Sequence, residues 1–163
     1  MIWTDESYIS LFSGQERFAR RPLNKRYGEK YVNQTPKHPV KVMIWGCFSA
    51  KGIGHIMVNS GSMNSEKYVA TLSDKLLTSA EELYPEGNWI FQDDGAPCHR
   101  SKKTKDWVAE NCPETLDWPG NSPDFSPIEN LWAILKTKVR KHKPTTKESL
   151  ISAIKKCGMK KYL

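Results

Sequence analysis

The 163 residues make one domain's length, enough to bury a core, and the 38% of them that are hydrophobic exclude a wholly disordered chain. Twenty-five Lys and Arg against 18 Asp and Glu leave a formal charge of +7, which speaks to partners and not to fold. No run approaches the roughly 18 consecutive apolar residues of a membrane span, and Met1-Ile2-Trp3-Thr4-Asp5 lacks the basic start of a secretory leader. The four cysteines (Cys47, Cys98, Cys112, Cys157) form no CxxC pair and the four histidines complete no zinc pattern, so a reducing compartment is expected and the thiols read as buried or incidental.

In chain order, residues 1–9 read as a strand running into Asp5. Residues 13–39 hold Gly14, Pro22, Gly28, Pro36 and Pro39 among basic side chains, which predicts a long loop or ragged hairpin. The apolar run Val42 to Phe48 predicts a buried strand, Gly52 and Gly54 a turn, and Ile56-Met57-Val58 the next strand. Asn64 or Ser65 can cap a helix over 64–84 with Val69, Leu72, Leu76, Ala80 and Leu83 on one stripe. Asn88 to Phe91 is a short apolar run delivering Gln92-Asp93-Asp94 at its end. Pro97 opens a helix through about Asn111, and Thr115 to Trp118 reads as a short strand. After the rigid stretch of Pro119, Gly120, Pro123 and Pro127, a helix over about 126–142 carries Ile128, Leu131, Trp132, Leu135 and Val139, and residues 147–157 form a last amphipathic helix. Strands first, then strands alternating with helices, predict a mixed α/β domain with one central sheet. The six tryptophans fall mostly at core positions, with base stacking open to one or two of them.

The positive charge is segregated. Residues 17–41, 100–105 and 136–161 carry 22 of the 25 basic side chains, leaving the remainder net acidic. Such segregation suits a polyanion such as nucleic acid, and equally describes solvated helix faces. Three acids stand out by position: Asp5 at the end of the first strand, Asp94 at the end of a later one and Glu129 in the first turn of a helix. Ligands bind beyond the carboxyl edge of α/β sheets. Converging carboxylates repel unless a cation neutralises them, and an oxygen-only donor set suits Mg²⁺ or Mn²⁺. Each acid also has a structural explanation. Asp5 can cap a turn with Ser7, and Asp94 can be a turn residue before Gly95. Ser126-Pro127-Ile128-Glu129 is a capping box with Pro in the first helical position. Strand alternation allows only one of Asp93 and Asp94 to reach a shared site. His99 can approach metal or DNA, or simply start a helix.

Thr4-Asp5-Glu6-Ser7, then Val42 to Ala50, then Gln92-Asp93-Asp94-Gly95-Ala96-Pro97-Cys98-His99, then Ser122-Pro123-Asp124-Phe125-Ser126-Pro127-Ile128-Glu129-Asn130-Leu131-Trp132 follow in that order, with 34 residues between Asp94 and Glu129. Together these segments resemble the catalytic domain of Tc/mariner-type transposases, Tc-one-like branch, across nearly the whole chain. The resemblance implies an RNase H-like α/β fold, a central mixed five-stranded sheet flanked by helices, in which neighbouring first and fourth strands bring Asp5 and Asp94 together. It implies that Asp5, Asp94 and Glu129 are catalytic and hold Mg²⁺ (or Mn²⁺), two ions being expected, for cleavage and strand transfer of DNA. Asp94, and not Asp93, matches the metal ligand.

The whole of residues 1–163 then reads as a single catalytic domain with a basic insertion at about 13–39. In this family that position contacts DNA or a second subunit, so a homodimer through 13–39 is expected. DNA contacts are assigned to Arg20, Arg21, Lys25 and Arg26 within the insertion, and to Arg100, Lys102 and Lys103. The implied location is the nucleus, with no membrane. The helix-turn-helix modules that begin full-length family members are not in this sequence, and the residues after about Ala153 leave the family pattern. Two further expectations follow: Asp5 sits loosely on a short first strand, and the chain alone does not transpose DNA. The alternative reading is a catalytically inactive or truncated transposase-derived DNA-binding protein; another RNase H-like nuclease is a third.

Overall fold

The computed structural model describes residues 1–11, 40–116 and 127–158. The basic insertion, with Arg20, Arg21, Lys25 and Arg26, lies outside them, as do Ser126 and Trp118. Five strands form one sheet: β1 (Ile2–Ser10), β2 (Lys41–Ser49), β3 (Gly52–Asn59), β4 (Ile90–Gln92) and β5 (Glu114–Thr115), in spatial order β3-β2-β1-β4-β5. The first three pair antiparallel, whereas β4 and β5 join parallel. This is the mixed, RNase H-like sheet.

Both faces are covered. Alternation along β1 and β2 sends Ile2, Trp45 and Cys47 to one face, under Tyr68, Leu72, Leu76 and Trp89. It sends Ile9, Val42 and Ile44 to the other, under helices α4 (Ile128–Lys141) and α5 (Lys147–Gly158). The buried stripe of α4 is Ile128, Trp132, Leu135 and Val139, four of the five positions the periodicity predicts, with Leu131 half-buried beside them.

Three details differ from the sequence reading. First, Gly52 and Gly54 are not a turn; they begin β3, and the turn is Ala50-Lys51. A Cβ on Gly54 would collide with Cys47 Sγ and lie 2.7 Å from Ser79 Oγ, so this glycine is where the strand meets the helix above it. Second, the first long helix has three parts: α1 (Ser65–Thr71, capped by the Asn64 side chain), a π-helical turn over Leu72–Leu76, and α2 (Leu77–Leu83). Its buried hydrophobic positions, Tyr68, Leu72, Leu76 and Ala80, recur every four residues, wider than the 3.6 of a regular helix. The π turn absorbs the excess and keeps the stripe on the sheet. Third, Asp5 is not at a strand end. It is the fourth of nine residues in β1, which pairs with β2 along its whole length, so its backbone is firmly held rather than loose.

Candidate active site

The register places the acids. Ile2 and Trp3 of β1 pair with Phe91 and Gln92 of β4, and the Thr4 hydroxyl donates to the Gln92 carbonyl at 3.1 Å. Asp93 and Asp94 therefore leave β4 beside Asp5. Asp5 shares its face of β1 with Trp3 and Ile9, towards α4; Glu6 points through the other face, towards α3 (Lys102–Asn111).

On the α4 side, Asp5, Glu129 and Trp132 line one recess together with Lys136 and Arg140. Glu129 stands exposed in the first turn of α4. The helix begins after Pro127, which makes no side-chain cap, and this puts Glu129 one residue short of the position a capping box needs. The Trp132 indole N–H donates to Asp5 Oδ2 at 2.7 Å. Burial pushes the Asp5 carboxyl up to about 6. The indole hydrogen bond opposes that rise, and the charges of Asp94 and Glu6 add to it.

Asp94 is close enough for its charge to be felt at Asp5, yet its carboxylate turns to His99. Oδ1 lies 2.9 Å from His99 Nδ1 and accepts the Ala96 N–H at 3.0 Å. His99 is buried, stacked on the Tyr68 ring at 4.0 Å between centroids, with Nε2 3.3 Å from Glu6 Oε1. Burial alone would depress this imidazole, but hydrogen bonds to Asp94 and Glu6 carry it up to about 10. Nδ1 faces Asp94 and Nε2 faces Glu6, and these carboxylates favour the charged form of the ring. The His99 hydrogen bond holds Asp94 below the usual carboxylate range. Glu6, Asp94 and His99 bring ligand-type atoms within 4.8 Å of one another.

Asp93 also approaches His99 Nδ1, at 3.8 Å, while its Oδ1 accepts the Gly95 N–H at 2.9 Å. Both aspartates lie beyond the end of β4, so strand alternation does not govern them; the turn at Gly95 (φ +65°) does. Asp93 lines a second recess, on the α3 side, with His99, Arg100 and Lys105. Of the remaining basic candidates, Arg100 packs its guanidinium against Gly95, Lys102 is exposed, and Lys103 pairs with Glu66 at 3.3 Å.

Sequence reasoning missed Glu6, Trp132, Lys136 and Arg140 as parts of this region. The signals were present: Glu6 follows Asp5 on an alternating strand, and 129, 132, 133, 136 and 140 fall on one side of a helix. Cys47 and Cys112 are buried and Cys98 and Cys157 half-buried, all with free thiols.

A mixed sheet of this order, with acids at the β1–β4 junction and at the start of α4, defines a DDE-type nuclease architecture. The sequence matches the DDE superfamily endonuclease family over residues 1–151, and the chain belongs to that family. It is 35% identical over 140 residues to the Tc1 transposase of Caenorhabditis elegans, a match covering 85% of this chain and 51% of that protein. It is 33% identical over 141 residues to the Tcb1 transposase of Caenorhabditis briggsae, with the same two coverages. The chain therefore spans about half the length of these relatives. Its fold superposes with a TM-score of 0.78 on the crystal structure of the mariner Mos1 paired end complex with Mg, at 18% identity, over 97% of this chain and 47% of that one.

Proposed function

We propose that this chain is the catalytic domain of a Tc/mariner-type transposase, cutting and joining DNA phosphodiesters with divalent cations held by Asp5, Asp94 and Glu129. The observation that carries this reading is the recess in which Asp5 and Glu129, remote in sequence, meet beside Lys136 and Arg140. The donor set suits a hard cation: the acids offer oxygen only, and Asp5 is pushed up by burial with two acidic neighbours adding to the rise. Mg²⁺ or Mn²⁺ bound there, two ions in this reading, would activate water or a 3′-hydroxyl and stabilise the leaving oxygen.

The chain's own residues do the rest. Asp5 and Glu129 supply carboxylate oxygens from opposite walls. Asp94 keeps Oδ2 for a cation while His99 holds Oδ1. Lys136 and Arg140 offer positive charge to the phosphates of a strand entering the recess. The family and the Tc1 and Tcb1 relatives support DNA as substrate. Residues 13–39 are assigned to DNA or to a second copy of this chain by their charge and by the family position they match, and the nucleus follows because chromosomal DNA is the proposed substrate.

The test is nicking of supercoiled plasmid by the purified chain with Mn²⁺ or Mg²⁺. Asp94→Asn and Glu129→Gln, both nearly isosteric, should abolish it. Full-rate nicking by either variant contradicts the metal-binding role, and a chain that binds DNA without nicking under any divalent cation favours the noncatalytic alternative.

A further inference from the structure

A short hydrogen bond to Asp5 comes from α4, and a glycine on β2 makes room for it. Asp5 pairs across the sheet with Gly46. Over that bare backbone lies the Trp132 ring. A Cβ built on Gly46 would stand 2.8 Å from Trp132 Cη2 and 3.3 Å from Ile56 Cγ1. A side chain there would therefore lift the ring, whose other edge delivers the indole N–H to Asp5 Oδ2 at 2.7 Å. Trp132 is 3% exposed and packed in the α4–α5 core, so it has little freedom to follow Asp5 if the carboxylate turns. A neutral donor on one carboxylate oxygen favours the ionised form and removes the rotation of the group. The remaining lone pairs of the Asp5 carboxylate are left to the recess shared with Glu129.

We propose that Gly46 and Trp132 form a clamp that fixes the Asp5 carboxylate for cation binding. Gly46 provides the space and Trp132 the hydrogen bond, and both are positioning residues that act through Asp5. This rests on the functional reading above. Partners that orient a metal-binding carboxylate change metal affinity by about 10–100-fold when removed. Trp132→Phe keeps most of the ring and deletes the donor. Gly46→Ala keeps the donor and displaces the ring. The two variants attack one contact from opposite sides, and Gly46→Ala leaves the buried indole in the chain should Trp132→Phe fold poorly.

The experiment titrates the full chain with Mn²⁺ alone, following water-proton relaxation, and records the indole N–H resonances by NMR without metal. Both variants should raise half-saturating Mn²⁺ by about 10–100-fold, with nicking recovered at high Mn²⁺. The resonance missing in Trp132→Phe should shift in Asp5→Asn and on adding Mg²⁺ to the wild-type chain. A purely structural role would lower thermal stability and leave Mn²⁺ affinity unchanged, and that result overturns the clamp while the nuclease reading stands. Wild-type chain that binds Mn²⁺ with these effects but never nicks DNA sinks the nuclease reading and leaves the clamp. Wild-type chain that binds no Mn²⁺ overturns both.

Discussion

Ionising Asp5 is costly while no cation is bound, because its carboxylate is enclosed by β1 and α4 and faces acids on two sides. Its folded value of about 6 lies above the ordinary 3.8. A raised carboxyl favours folding fully below its unfolded value, and that contribution is lost as pH rises through the folded one. In EDTA at about pH 7.5, Asp5→Asn should therefore be more stable than wild type by about 1–2 kcal/mol, discounted for partial solvent access. The gain should vanish below about pH 4. Asparagine still accepts the Trp132 N–H, and Asp94, Glu6, Glu129, Lys136 and Arg140 stay in place around it. Denaturant melts at the two pH values check the sign; equal stability at neutral pH would show the burial cost to be absent. His99 gives the opposite window. Its folded value near 10 exceeds the ordinary 6.5, so its stabilisation is complete below 6.5 and lost as pH rises through about 10. The difference in melting temperature between wild type and His99→Gln should shrink between about pH 7 and pH 11. The acids themselves were legible in the sequence. The His99 network was not, because a turn, and not a strand or helix period, carries Asp94 and Asp93 to His99.

Elements were legible where a period governed them. The α4 stripe and the β2 apolar run stand as read, since an amphipathic helix and a doubly covered strand each have an unmistakable pattern. Misreadings came where packing overrides a local signal. Gly52 and Gly54 look like a turn pair, yet Gly54 is a strand residue made small by its neighbours. Ser79, under it, accepts the His55 N–H at 2.8 Å and donates to the Lys75 carbonyl at 2.6 Å, so it cannot easily move aside. Gly54→Ala should therefore destabilise the domain by about 1–3 kcal/mol, the usual penalty for overpacking. Gly87→Ala is the control for crowding: it has a positive φ but open space around it, so its cost is backbone strain alone. Chemical denaturation of both separates the two causes. An unchanged midpoint for Gly54→Ala would mean that β3 and α2 are not packed as tightly as the contacts to Cys47 and Ser79 indicate.

At the scale of the whole molecule the proposed function requires that some of the basic side chains meet DNA. Charge counting along the sequence weights the three basic segments alike, because a count cannot tell which side of the sheet a residue faces. Among the described residues the fold separates them. Arg100 and Lys105 border the α3-side recess, and Lys103 is engaged by Glu66. Lys155 borders a different surface, with Lys41, Lys75 and Lys147 near the β3 edge. Lys136 and Arg140 alone among these share a recess with Asp5 and Glu129. They stand seven and eleven residues beyond Glu129 on α4, which at 1.5 Å per residue sets them about 10 and 16 Å along the helix axis. Each phosphate neutralised contributes about 0.9 to the slope of log affinity against log salt on duplex DNA. Lys136→Ala with Arg140→Ala should therefore flatten that slope by about two and weaken binding similarly on unrelated sequences. Lys147→Ala with Lys155→Ala removes the same charge from the β3-edge surface and should change the slope by less than one. Fluorescence anisotropy on two unrelated duplexes over a salt series distinguishes the cases. Equal slopes for the two double variants would mean that DNA is held by diffuse charge and not by the wall of the acidic recess.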